Sequence, residues 1–140
     1  MDTNEIMNAL RKEDQTSFPA EIFETESIDI VSYMKQLMSD RDITLSELVP
    51  SMCYERAYVY HMMNGTREPS RTFLLRFAVV LKLDYEETQK LLYISGKPIL
   101  YARIRYDAVI IYALERHMDP YKLHELMEEV GEKPLFWANE

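Results

Sequence analysis

The chain has 140 residues, 47% of them hydrophobic and 29% charged, and a formal net charge of −8. That length and apolar content suit one globular domain and exclude a disordered or low-complexity chain. The single cysteine, Cys53, excludes an intramolecular disulfide and a cysteine-rich zinc site, and the acidic excess excludes bulk, sequence-independent binding of nucleic acid. No apolar run approaches the roughly 20 residues of a membrane span. The polar start Met1-Asp2-Thr3-Asn4-Glu5 is unlike a secretory leader, so a cytoplasmic protein without membrane contact is expected.

The acidity is concentrated at one end. Residues 1–27 carry −5, residues 28–69 carry −2 and residues 70–140 carry −1. The first segment is therefore read as an acidic N-terminal arm or linker. It has one short amphipathic stretch (Ile6, Met7, Ala9, Leu10), and Phe18, Ile22 and Phe23 are placed to dock on the domain or on a second subunit.

From residue 28 onward the apolar spacing is helical. Ile28, Ile30, Val31, Met34, Leu37 and Met38 recur at threes and fours, with Ser27 as the expected N-cap. Thr44 followed by Glu47 is a capping-box pattern that opens a second helix. Pro50 falls inside that helix and must shorten or kink it. A third helix is predicted over about 55–63, stopped by Asn64-Gly65. Pro69-Ser70 opens a fourth, whose buried face is Phe73, Leu74, Phe77, Ala78, Val80 and Leu81. Asp84 and Glu87 open a fifth, which ends at Gly96-Lys97-Pro98. A sixth is predicted over about 103–117. A seventh starts at Asp119-Pro120, with proline at the tolerated first position, and ends at Gly131. No alternating run long enough for a strand occurs, so the expected class is all-α.

A weak repeat runs through the last four helices. At an offset of 35 residues, Phe77-Ala78 aligns with Tyr112-Ala113, Asp84 with Asp119, Leu91-Leu92 with Leu126-Met127 and Gly96 with Gly131. Either one αα-hairpin occurs twice, or two generic amphipathic hairpins share common caps. In both cases the second hairpin is expected to pack on the first.

Residues 43–65, Ile-Thr-Leu-Ser-Glu-Leu-Val-Pro-Ser-Met-Cys-Tyr-Glu-Arg-Ala-Tyr-Val-Tyr-His-Met-Met-Asn-Gly, carry the functional signal. Leu48 and Val49 are spaced to face the core from one helix, Met52 to close it, and Val59 and Met62 to anchor the next. Arg56, Ala57, Tyr60 and His61 are left outward. This stretch, continued by Thr66-Arg67-Glu68-Pro69-Ser70, resembles the helix-turn-helix of the Cro/phage-repressor (XRE) family over about residues 28–94. The resemblance implies a five-helix DNA-binding domain over residues 28–94, extended by a C-terminal αα-hairpin over residues 95–140. It also implies that Arg56, Ala57, Tyr60 and His61 read bases, and that Tyr58, Thr66, Arg67 and Arg71 contact the DNA backbone. Three positions depart from the family: Leu45 stands where a polar residue is usual, Cys53 where glycine usually makes the turn, and Glu55 opens the reading helix.

The expectation is a sequence-specific transcriptional regulator binding double-stranded DNA as a homodimer, because one short helix reads too few base pairs. Two other readings use the same residues: a protein-interaction module that kept the fold, and the antitoxin of a toxin–antitoxin pair. Tyr93, Tyr101, Tyr106, Tyr112 and Tyr121, with Phe136 and Trp137, mark the C-terminal hairpin as the candidate for self-association, in competition with packing inside the monomer. His61, His117 and His124 do not have metal-ligand spacing. No phosphate loop or glycine elbow is present, so no enzyme activity and no cofactor are expected.

Overall fold

The computed structural model describes residues 3–11 and 29–137. Among these residues there are eight helices and no strand: α1 (Thr3–Arg11), α2 (Ile30–Asp40), α3 (Leu45–Ser51), α4 (Arg56–Met63), α5 (Arg71–Leu81), α6 (Tyr85–Ile94), α7 (Arg105–Glu115) and α8 (Pro120–Val130). The all-α class is as expected. Phe18, Ile22 and Phe23 lie outside the described residues, and the N-cap of the helix expected to start from Ser27 is Asp29 instead, because the helix begins at Ile30.

Short-range chemistry sets most helix ends. The cap of α2 is Asp29, whose carboxylate accepts from the Ser32 N–H at 2.8 Å. The bonds from Ser32 hold that carboxyl below its ordinary range. Thr44 with Glu47, and Asp84 with Glu87, form complete capping boxes at the starts of α3 and α6. Ser70 caps α5, and Asp119 caps α8 with Pro120 in its first turn. Helix α3 ends one residue beyond Pro50. Helix α7 is shorter at both ends than the apolar spacing suggests, since Ile104 supplies no side-chain cap and His117 turns left-handed.

Three helix-to-helix turns share one construction. A left-handed residue (Asp42, Lys82, His117) is followed by an apolar one (Ile43, Leu83, Met118) and then by the next N-cap (Thr44, Asp84, Asp119). In each, the apolar residue's N–H donates to the carbonyl five residues back: Met38 at 3.0 Å, Ala78 at 2.9 Å and Ala113 at 3.0 Å. This is the Schellman closure of a helix. The second and third turns lie 35 residues apart, as do the left-handed Gly96 and Gly131 that end α6 and α8. The repeat is therefore one of backbone geometry as well as of residue type.

Helix α5 is the centre of the molecule. Every residue from Phe73 to Val79 is buried, as befits a helix enclosed on all sides. It packs against α6 and α7, while α2 packs on α4 and α6, α3 on α4, and α6 on α7. One cluster of buried apolar side chains runs from Met34 to Phe136. Residues 95–137 thus share a core with residues 29–94. Arg41 ties the end of α2 to this centre, donating to the Leu81 carbonyl at 3.0 Å and pairing with Glu87 at 2.7 Å. Among the described residues no helix is long and apolar enough to cross a membrane.

Gly65, after α4, has φ +81°, and a Cβ there would lie 3.3 Å from a Val31 methyl group. Gly65→Ala is expected to destabilise the fold by about 1–2 kcal/mol, from left-handed strain and crowding together. Denaturant unfolding would check it. Gly131→Ala, where no atom lies within 4 Å of the added Cβ, should cost less.

Candidate nucleic-acid interface

Helix α3 leads through residues 52–55 into α4, with Cys53 at φ +59°. The turn therefore takes the left-handed conformation that glycine adopts without strain, although the residue is cysteine. Leu48 and Met52 are fully buried beneath it, and Val49 is half-buried. The turn is held from below by Arg76 of α5. Its Nη1 donates to the carbonyls of Met52 and Cys53 at 3.1 Å each, and its Nε to the Leu135 carbonyl at 2.8 Å. The same guanidinium lies 4.2 Å from the centroid of the Tyr54 ring.

Val59, Met62 and Met63 bury the inner face of α4. Arg56, Ala57 and His61 are exposed and Tyr60 is half-buried, so the four residues expected to read bases share the outer face. Arg56 leans along the helix, donating to the Tyr60 hydroxyl at 3.0 Å with its guanidinium 5.1 Å from the ring centroid. That contact pre-orients both side chains. Tyr58 sits to the side, its ring 4.6 Å from that of Tyr54 and 6.2 Å from that of Phe73.

The expected backbone contacts divide. Arg67 is exposed and lies over the Tyr58 ring at 5.4 Å. Thr66 is exposed, and its hydroxyl donates to the Asn64 side chain at 2.5 Å. Arg71 faces elsewhere. It forms a two-pronged pair with Asp107 of α7 at 3.2 and 3.0 Å, and it also donates to the carbonyls of Pro98 at 2.8 Å and Ile99 at 3.3 Å. Its fork thus makes four bonds inside the protein while 26% of the side chain stays exposed. The expected backbone contact at Arg71 would compete with these bonds, and its position beside a helix start does not reveal the carboxylate 36 residues further on.

Asp107 and Arg76 were not singled out from the sequence, though each leaves a trace in it. Arg76 is the one charged residue in the apolar run Phe73–Leu81, and Asp107 is the acid in the first turn of an apolar helix. Beside Asp107, burial pushes the Tyr106 phenol above its ordinary range and the Asp107 charge adds to that rise, against the opposing pull of Arg71. Of the aromatic residues proposed for self-association, Phe136 is in the monomer core and Tyr106 is half-buried, whereas Tyr93, Tyr101, Tyr112, Tyr121 and Trp137 are exposed. Arg105 pairs with Glu132 at 3.3 Å, leaving Arg103 as the more open cation of that edge.

A scan against protein-family models, a search of curated proteins and a search of solved structures each return no match for this chain.

Proposed function

We propose that this protein is a sequence-specific DNA-binding regulator in which α3, the 52–55 turn and α4 form a helix-turn-helix within a five-helix unit made by α2 to α6. The observation that carries the reading is the two-sided character of α4. Its inner face is locked by Val59, Met62 and Met63, while Arg56, Ala57 and His61 stand outward beside half-buried Tyr60. A rigidly seated helix presenting a short polar row is what insertion into a major groove requires. The backbone contacts of this reading are Tyr58, Thr66 and Arg67, and the protein works as a homodimer on paired half-sites, without catalysis.

The test is capture of fragmented genomic DNA at low and at physiological salt, followed by sequencing. Recovery of discrete sites with inverted half-sites at the higher salt supports the reading. Random DNA lost at the higher salt, or no DNA, overturns it. Arg56→Ala should then weaken the recovered site by about 1–3 kcal/mol and relax preference at one base position, as read by competition binding.

A second reading, contact with a protein through the same face, is favoured by a groove of about 180 Å³ beside α4, lined by Met38, Leu45, Tyr60 and Met63. The engagement of Arg71 with Asp107 also leaves this side less basic than the sequence suggests. In that case affinity purification recovers a protein partner and the genomic capture is empty.

A further inference from the structure

Five non-glycine residues among those described have left-handed backbone, and three of them, Cys53, Lys82 and Trp137, line a single cleft of about 530 Å³. They come from the turn after α3, the end of α5 and the segment after α8, and Asp119 and Tyr121 at the start of α8 complete the wall. Left-handed backbone is disfavoured for any residue with a Cβ; at Lys82 it closes a helix, and at Cys53 and Trp137 it sets the cleft wall at an energetic cost.

The cleft has the make-up of a small-molecule site. Two large rings stand exposed in its wall: Tyr121 is 70% and Trp137 47% exposed. They are braced against each other with centroids 5.0 Å apart, and Trp137 is further held by the edge of His124 at 5.2 Å. A planar ligand would meet a surface already in position, which lowers the ordering cost of binding. The cleft wall carries two charges: the Asp119 carboxylate, engaged in capping α8, and Lys82, whose ammonium makes no hydrogen bond or ion pair among the described residues. The helix start offers little else to an anion, since Pro120 has no N–H and the Lys122 N–H is taken by Asp119 at 2.9 Å.

We infer that this cleft binds a small aromatic carboxylate, its ring against Tyr121 and Trp137 and its carboxylate on Lys82. The inference stands whether or not α4 reads DNA.

Trp137 is the only tryptophan in the chain, so its fluorescence reports on the cleft directly. The experiment titrates the full-length protein with phenylacetate, phenethylamine and benzyl alcohol, which carry the same ring with negative, positive and no charge. The expected result is a saturable change with phenylacetate at a concentration about tenfold below that needed for the other two. Lys82→Gln should abolish that preference, and Tyr121→Ala should weaken all three probes, with both variants folded by circular dichroism. Absence of saturation with phenylacetate, equal or tighter binding of phenethylamine, or an unchanged preference in Lys82→Gln overturns the inference.

Discussion

Arg76→Met is expected to destabilise the protein by about 3–5 kcal/mol, the larger of the two structural effects predicted here. Methionine keeps most of the volume of the side chain, so the loss isolates the guanidinium. Three carbonyls, those of Met52, Cys53 and Leu135, lose their donor together, and the residue is 1% exposed, which leaves water little room to replace it. Each orphaned carbonyl costs about 1–3 kcal/mol, with less than full additivity because they share one site. Arg76→Lys should recover only part of the loss, since one ammonium cannot reproduce a planar fork that reaches two chain segments. Urea unfolding of the three proteins checks this. A loss below about 1 kcal/mol for Arg76→Met would show that the carbonyls find other partners. Because two of these carbonyls belong to the turn between α3 and α4, the variant should also loosen the orientation of α4. Faster hydrogen exchange over residues 52–63 would report it.

Arg71→Ala is expected to cost about 3 kcal/mol, near the low end for a broken buried pair because Arg71 keeps 26% of its side chain exposed. The penalty comes mainly from Asp107. Its carboxylate is 3% exposed and would keep only the Tyr101 N–H, at 3.0 Å, of the bonds seen in the native protein. The double variant Arg71→Met with Asp107→Leu should lie much closer to the native stability than Arg71→Ala, since neither charge is then left buried alone. This arrangement joins the first turn of α5 to the first turn of α7 and pins the 98–99 carbonyls between them. Exchange protection should therefore fall first over residues 98–107. Thermal unfolding is the direct measurement, and for a chain of this size a 3 kcal/mol loss lowers Tm by roughly 6–12 °C. If Arg71→Ala left stability unchanged, the Asp107 carboxylate would have other means of compensation, and this account of Arg71 would fail.

Both predictions rest on residues that the one-dimensional pattern passes over. The helices, their caps and the paired turns are legible because they depend on neighbours within about five residues. Thr44 finds Glu47, Asp84 finds Glu87, and Asn64-Gly65 ends α4, whatever the rest of the chain does. The inward positions of Leu48, Val59 and Met62 follow from helical spacing in the same way. The outward row Arg56, Ala57, Tyr60 and His61 is the complement of those buried positions, so it too was readable.

The long-range polar contacts and the spaces between elements depend on how the helices pack. Arg71 and Asp107 are 36 residues apart, and Arg76 and Leu135 are 59 apart. No local rule links them, because a guanidinium's partner is chosen by whichever acceptor the packed helices bring within reach. The left-handed state of Lys82 belongs to a local helix ending, whereas those of Cys53 and Trp137 follow no such local pattern and run against the preference of each residue. Their convergence on one cleft exists only once α3, α5 and α8 have been brought together. Helical periodicity and capping, which act over a few residues, thus determined the elements of this protein. The placement of its arginines and its cleft was determined by contacts that form only after those elements share a core.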